Sequence, residues 1–167
     1  LNDTRLNYEN YYEEILYLCT RYNVIDIFDL LMKNKKIKLK INLDCLYYAI
    51  EHGNLYIVNQ ILKNEFLKFE KNHIYSLRLA AINGNIDIVK LLLKCKYINV
   101  ENSQSLSYAI DNKNFEIAKI LLEDSRITPS EDDNFPIQSV IYHANEELAD
   151  ILFKHKSVRD YLFDKNK

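Results

Sequence analysis

The sequence is poor in glycine, proline and cysteine, and these shortages argue against several classes of site. It holds two glycines, two prolines, three cysteines and no tryptophan among 167 residues. It contains no glycine-rich phosphate loop, no H-E-x-x-H and no C-x-x-C, so the motifs typical of nucleotide, zinc-protease and thiol-redox sites are missing. Cys19, Cys45 and Cys95 are odd in number and lack paired spacing, which argues against a disulfide framework and favours a reducing compartment.

Long apolar runs and a strong charge imbalance are missing as well. No run approaches the roughly 18 apolar residues that a membrane-spanning helix requires, and no signal peptide opens the sequence. The formal net charge of −2 gives no general reason to expect nucleic acid or an anionic membrane as a partner. Hydrophobic residues make up 48%, which indicates a folded chain with a core. Because Leu1 stands first, we expect a segment of a longer protein.

One pattern is written five times along the chain. A compact residue, which we call the anchor, recurs at intervals of 30, 31, 29 and 31 residues, at Cys19, Ala49, Ala80, Ala109 and Val140. A large apolar residue lies three positions before each anchor, at Leu16, Leu46, Leu77, Leu106 and Ile137. This spacing places both residues on one face of a helix. A second helical pattern, such as residues 88–93, is apolar around most of its circumference, so we predict five helix pairs that cover one another.

The two glycines mark the turn inside a helix pair. Gly53 and Gly84 each follow an anchor by four residues, where the first helix must stop and reverse with a left-handed backbone. Lys113 and Ala144 occupy this position in the last two copies. Because a left-handed non-glycine residue costs about 1–2 kcal/mol, we expect those two turns to be rebuilt around an adjacent asparagine.

Asparagine follows the turn position in four of the five copies, at Asn54, Asn85, Asn114 and Asn145. An asparagine side-chain oxygen accepts hydrogen bonds from the free amides at the start of a helix. We therefore predict that these four residues are N-caps of the second helices.

The pattern L-x-x-A-x-x-x-G-x-x-x-I-V-x-x-L-L resembles the ankyrin repeat, and residues 77–93 carry it as LRLAAINGNIDIVKLLL. The resemblance covers about residues 11–157, although the usual T-P-L-H box is degraded and only Pro136 keeps its proline. It implies an all-α ankyrin-repeat solenoid of about five stacked helix-turn-helix units. The period of 29–31 residues is shorter than the family's period of about 33, which implies short or rudimentary hairpin loops.

The segment DSRITPSEDDNFPI is similar to variants found in ankyrin proteins of amoebae and large DNA viruses. We expect a single domain over residues 1–167, with repeats at approximately 11–42, 43–73, 74–103, 104–134 and 135–167.

The resemblance also implies where a partner binds. In ankyrin proteins the two positions before the turn lie on the concave surface, and here they vary while the positions around them keep the pattern. Such variation indicates that they are not needed for folding, and their aromatic, apolar and hydrogen-bonding groups suit binding hot spots. The alternative is drift on an unused surface. The candidate partner-binding residues are Arg21, Tyr22, Glu51, His52, Ile82, Asn83, Asp111, Asn112, Tyr142 and His143.

The implied function is non-catalytic recognition of a protein partner, without cofactor or metal. An alternative is a regulatory or spacer arm of a larger enzyme, channel or ubiquitin-ligase adaptor. His52 and His143 are about three repeats apart, so we do not expect them to build a catalytic or metal site. We expect the isolated chain to be monomeric, cytoplasmic or nuclear, and not bound to nucleic acid.

Three further features carry smaller predictions. Cys19 replaces an anchor alanine and should be buried, whereas Cys45 and Cys95 lie near helix ends and should be partly exposed. The run KNKKIKLK at residues 33–40 favours a solvated connector over a patch for nucleic acid or phospholipid. Asn99 lies eight residues after a leucine, the spacing at which ankyrin asparagines are hydroxylated.

Overall fold

The computed structural model describes residues 8–64, 74–101, 104–129 and 135–164. All regular secondary structure in those ranges is helical, which confirms the predicted all-α class. The described residues fall into two compact units, the first ending at residue 64 and the second beginning at residue 74. The single domain over residues 1–167 therefore stays a prediction.

The first unit contains two helix pairs and a short helix between them. Its helices are α1 (Tyr8–Tyr22), α2 (Ile25–Met32), α3 (Lys35–Lys38), α4 (Leu43–Glu51) and α5 (Leu55–Leu62). Helix α1 pairs with α2 and α4 pairs with α5, while α1 contacts α4 and α2 contacts α5. The two pairs thus stack first helix on first helix and second helix on second helix, as ankyrin repeats do.

The second unit contains three helix pairs and a terminal helix. Its helices are α6 (Ile74–Ile82), α7 (Ile86–Lys94), α8 (Ser105–Asp111), α9 (Phe115–Leu122), α10 (Phe135–Tyr142), α11 (Glu146–Lys154) and α12 (Lys156–Asp164). The first helices α6, α8 and α10 form one row of contacts, and the second helices α7, α9 and α11 form another. Helix α12 packs on α11.

The anchors and the large apolar residues three positions before them form the core, as the spacing predicts. None of these ten side chains is more than 7% exposed, and Leu16, Leu46 and Leu77 are fully buried. Burying one leucine contributes about 1.5–3 kcal/mol, so the repeated pair is a main source of stability. Cys19 is buried as predicted. Cys45 is also buried, which corrects its predicted exposure, because its face of α4 lies against α1.

The turn residue of every helix pair has a left-handed backbone, including the two that are not glycine in the last copies. Gly53 and Gly84 have φ of 69° and 74°, while Lys113 and Ala144 have φ of 59° and 50°. The expectation that the last two turns are rebuilt is therefore wrong. Each turn keeps a hydrogen bond from the amide of the next residue to the anchor carbonyl, at 2.8–3.3 Å, and this pattern requires a left-handed residue.

The asparagines after the turns do not all cap their own helices. The side chain of Asn145 accepts from the Leu148 amide at 2.9 Å, as predicted. Asn54, Asn85 and Asn114 occupy the N-cap positions of α5, α7 and α9 as predicted, but their side chains make no cap hydrogen bond, so that part of the prediction is wrong. Their ψ angles of 68°, 77° and 58° fall short of the extended backbone of an N-cap, whereas Asn145 reaches 92°.

Two of these side chains instead reach the preceding repeat of their own unit. The amide of Asn54 donates to the main-chain oxygen of Thr20. The amide of Asn114 donates to the main-chain oxygens of Ala81 and Ile82, at 2.8 and 3.0 Å. Each asparagine thereby ties the start of one second helix to the turn of the helix pair before it.

The connectors between described repeats contain turns or short helices, with no strand in the ranges that the structure covers. Three described connectors bury an isoleucine 18 residues after an anchor, namely Ile37, Ile98 and Ile127, and Val158 of α12 is buried at the equivalent position. The five lysines of residues 33–40 are exposed, and Lys40 Nζ lies 2.8 Å from Glu13 Oε1. The lysine run is therefore solvated as predicted, but Ile37 attaches it to the core.

Candidate protein-binding surface

The ten predicted partner-binding residues lie at or just beyond the C-terminal ends of the first helices, and we call them the variable surface. Ile82 and His143 are half-buried, and the other eight are exposed. Because first helices contact each other within each unit, the structure brings these residues together in two groups. The first unit holds Arg21, Tyr22, Glu51 and His52, and the second holds Ile82, Asn83, Asp111, Asn112, Tyr142 and His143.

In the first unit, Arg21 is surrounded by aromatic groups. Its Nη1 donates to the Tyr17 hydroxyl at 2.7 Å, and its guanidinium carbon lies 5.5 Å from the Tyr22 ring centroid. The hydrogen bond to Tyr17 raises the pKa of Arg21 above its usual value, and the Glu51 carboxylate adds to this effect. Tyr17 also meets Tyr48 edge to face, with ring centroids 4.6 Å apart. The result is an exposed cation on an aromatic support.

Two residues of the variable surface also close the last turn of their own helix. His52 Nδ1 lies 3.0 Å from the main-chain oxygen of Tyr48, and Asn112 Nδ2 donates to the main-chain oxygen of Tyr108 at 2.9 Å. A carbonyl oxygen only accepts, so His52 carries a proton on Nδ1. In the neutral ring, Nε2 of this exposed histidine is then an acceptor for a partner's donor.

In the second unit, the variable surface combines anchored and free side chains. The Ser139 hydroxyl donates to Asp111 Oδ1, which fixes the carboxylate between α8 and α10. His143 packs edge to face on Tyr142 and Phe115, with ring centroids 5.1 and 6.2 Å away. Tyr142 itself is 85% exposed.

Three residues next to the variable surface are not among the predicted set. The guanidinium carbon of Arg78 lies 5.3 Å from the Tyr75 ring centroid and 5.2 Å from that of Tyr108. The arginine thus bridges α6 and α8 between two aromatic rings. Tyr108 is three residues before Asp111, so helical spacing places both on one face, and this spacing is the signal that could have found it.

An open cavity adjoins this cluster on α8 and α10. It has a volume of about 320 Å³ and is lined by Gln104, Ser107, Tyr108, Asp111 and Phe135. Its lining offers two aromatic rings, two hydroxyls, an amide and a carboxylate, which suit contacts with both apolar and hydrogen-bonding groups of a protein chain.

In many proteins, reactive cysteine thiols or clustered His, Cys, Asp and Glu side chains carry out covalent or metal chemistry. Burial raises the pKa of the Cys19 and Cys45 thiols, which disfavours the reactive thiolate. Within the described ranges, no three His, Cys, Asp or Glu side chains are grouped as metal ligands, and no helix is long and apolar enough to span a bilayer. Asn99 is exposed, and its hydroxylation stays a prediction.

Comparison with known proteins points to one family. The family model described as ankyrin repeats in three copies matches residues 46–133. An ankyrin repeat protein of Acanthamoeba polyphaga mimivirus is 28% identical over 151 residues, covering 71% of this chain and 20% of the viral protein. An ankyrin repeat protein of fowlpox virus (strain NVSL) is 28% identical over 118 residues, covering 68% of this chain and 20% of the viral protein.

The chain spans about a fifth of the length of these relatives. The matched residues include parts of both units, and the helix pairs repeat at the predicted spacing. Ankyrin repeats are generally protein–protein interaction modules and are typically non-catalytic. The family match and the stacked helix pairs agree, and the chain belongs to the ankyrin repeat family.

Proposed function

We propose that the chain recognises a protein partner through the variable surface, which would form the concave face of the ankyrin stack. One observation carries the proposal: eight of the ten side chains at the variable positions are exposed, while the repeat positions beside them are buried. Tyr22 is 64% exposed and Tyr142 is 85% exposed, although the anchors three residues or fewer before them are at most 2% exposed. Large aromatic side chains that stay exposed beside a buried core suit a protein interface.

The neighbouring aromatic and cationic groups extend this surface. Arg78 and Tyr108 in the second unit, and Tyr17 and Tyr48 in the first, hold each other at fixed distances. Contact residues that are already ordered lose less conformational freedom on binding, which favours affinity. We therefore include these four residues in the proposed binding surface.

The compartment is part of the same proposal. Cys19, Cys45 and Cys95 are all free thiols, and we propose that recognition occurs in the reducing environment of the cytoplasm.

The experiment that tests the proposal compares two double variants for capture of proteins from the native cell. In the first, Tyr108→Ala and Tyr142→Ala remove rings from the proposed surface. In the control, Lys90→Ala and Asp150→Ala change exposed residues of the second helices α7 and α11. Each hot spot contributes about 2 kcal/mol or more, so the first variant should retain less than about a tenth of the partner.

Circular dichroism must first show that both variants are as helical as the original chain. Recovery of the same partner in equal yield by the original chain and the Tyr108→Ala, Tyr142→Ala variant would contradict the proposal. Loss of the partner with the Lys90→Ala, Asp150→Ala control would move the binding site to the second helices.

A further inference from the structure

The outer side of the first helix pair, away from α4 and α5, exposes apolar residues at positions that later repeats bury. Ile27 lies eight residues after its anchor and is 46% exposed. The equivalent residues Ile57, Ile88, Ile117 and Leu148 are at most 2% exposed. Isoleucine or leucine occupies this position in all five repeats, so the difference in exposure comes from what packs against these side chains.

Two more positions show the same difference. Ile15, four residues before its anchor, is 36% exposed, whereas the equivalent Cys45 and Ser105 are 6% and 1% exposed. Val24 follows its turn directly and is 37% exposed, whereas Asn54 at that position is 5% exposed and Asn85, Asn114 and Asn145 are half-buried. Together with Leu30, which is 64% exposed, Ile15, Val24 and Ile27 form a surface that we call the outer face.

Hydrogen bonds identify what covers these positions in later repeats. The start of each second helix faces the helix pair before it in the same unit. The contacts are Asn54 Nδ2 to the main-chain oxygen of Thr20, Tyr56 Oη to Asp29 Oδ2 at 2.8 Å, Asn114 Nδ2 to the main-chain oxygen of Ala81 at 2.8 Å, and Lys119 Nζ to Glu147 Oε1 at 2.7 Å. The first turn of α2 is the equivalent element of the first pair, so it faces the side on which a preceding helix pair would stack.

The chemistry of the outer face does not suit the end of an array. Terminal repeats of solenoid proteins need a polar outer surface for solubility. Here the four members of the outer face are all aliphatic, and Val24 stands where four later repeats carry asparagine. A valine cannot donate the inter-repeat hydrogen bond that Asn54 makes, so whatever covers this face is held by apolar packing.

We infer that the outer face is a stacking surface for another ankyrin-type helix pair of the same polypeptide, placed ahead of α1. It continues the interface by which the α4–α5 pair stacks on the α1–α2 pair. The pattern of burial, rather than the position of the first residue, carries this inference. It is independent of the proposed binding surface, because it concerns a different side of the first unit.

The test adds the missing pair and asks whether Ile27 becomes buried. A copy of residues 8–42 joined ahead of Glu13 preserves the 30-residue spacing between anchors and supplies one more helix pair. Ile27→Glu is introduced into the original chain and into the extended chain. In the extended chain only the original Ile27 is changed, and its duplicate in the added helix pair is kept. Lys63→Glu, at an exposed position after α5, is the matched control.

Stacking should slow amide hydrogen exchange in α2 by tenfold or more in the extended chain, and Ile27→Glu should abolish that slowing. The melting temperature should fall by several degrees more for Ile27→Glu in the extended chain than in the original chain, while Lys63→Glu has equal effects in both. Equal effects of Ile27→Glu in the two chains would overturn the inference. A dimer of the original chain, detected by light scattering and dissociated by Ile27→Glu, would assign the face to a second copy and overturn it as well.

Discussion

The side-chain amide of Asn114 donates hydrogen bonds at 2.8 and 3.0 Å to the main-chain oxygens of Ala81 and Ile82, in the preceding helix pair. The C-terminal end of α6, which carries Ile82 of the variable surface, is therefore held by the next helix pair. Asn114 occupies the N-cap position of its own helix, but its side chain bonds the neighbouring helix pair. This relationship connects the spacing of the repeats to the shape of the proposed binding surface.

Replacing Asn114 with aspartate should destabilise the protein. A carboxylate cannot donate to the two main-chain oxygens and would repel them, whereas aspartate is as good an N-cap as asparagine. We expect a loss of about 1–3 kcal/mol in the free energy of unfolding, measured by urea denaturation. The matched change Asn145→Asp should alter it by less than about 0.5 kcal/mol, because Asn145 accepts a hydrogen bond from the Leu148 amide. Equal tolerance at both sites would show that Asn114 is an ordinary cap.

Glycine should be favoured at the turn position of the last repeat. Ala144 has φ of 50°, and relieving this conformation is worth about 1–2 kcal/mol, partly offset by the entropy of glycine in the unfolded chain. Ala144→Gly should raise the free energy of unfolding by about 0.5–1 kcal/mol in urea denaturation.

Gly84→Ala is the reverse change and should destabilise by at least about 1–2 kcal/mol. Gly84 has φ of 74°, and an added Cβ would lie 3.1 Å from Asn114 Oδ1. A stabilising effect of Gly84→Ala would contradict the left-handed turn.

The connector after the first helix pair should depend on Ile37. This side chain is 5% exposed, so Ile37→Ala should lower the free energy of unfolding by about 2–4 kcal/mol through the cavity it leaves. Leu39, two residues later and 54% exposed, is the control. Leu39→Ala should change the free energy of unfolding by less than about 0.5 kcal/mol. Calorimetric melting of the two variants distinguishes them. Similar losses would mean that the connector does not pack through Ile37.

The ion pair between Asp124 and Arg126 should make stability depend on acid pH. The hydrogen bond from Arg126 lowers the pKa of Asp124, and Arg126 Nη2 also donates to the main-chain oxygen of Leu93 at 2.8 Å. A carboxyl whose pKa is lower in the folded state stabilises the protein above its unfolded pKa of about 3.9. That contribution disappears as the pH falls through the lower, folded pKa.

Asp124→Asn should therefore reduce the free energy of unfolding by about 0.5–1 kcal/mol at neutral pH, since the pair is partly exposed. The difference from the original chain should stay constant down to about pH 5 and shrink below it. Asp150→Asn, at an exposed position of α11, controls for the change in net charge. A difference that grows on acidification would reverse the sign and contradict the argument.

Much of the variable surface could be predicted from sequence, because the resemblance to ankyrin repeats indicates which positions before each turn face a partner, and the repeat spacing locates those positions in each copy. Helical spacing to Asp111 could have found Tyr108, but it does not reveal the contact between Tyr108 and Arg78. They belong to different repeats, and their contribution comes from a guanidinium 5.2 Å from a ring on the next helix. No spacing within one repeat contains that contact. The burial of Cys45 and the inter-repeat bonds of Asn54 and Asn114 likewise require the neighbouring helix pair.

The sequence by itself determined the features that depend on neighbours a few residues apart: five helix pairs, buried anchors and the left-handed turns at Gly53 and Gly84. Periodicity at three and four residues is enough for these, because a helix places such residues on one face. Only the tertiary structure decided which of several available groups an asparagine amide bonds, and which apolar side chains of a connector or outer face are covered. Those outcomes depend on groups about 30 residues away in the sequence. The distance in space between such groups is set by how closely one repeat packs on the next.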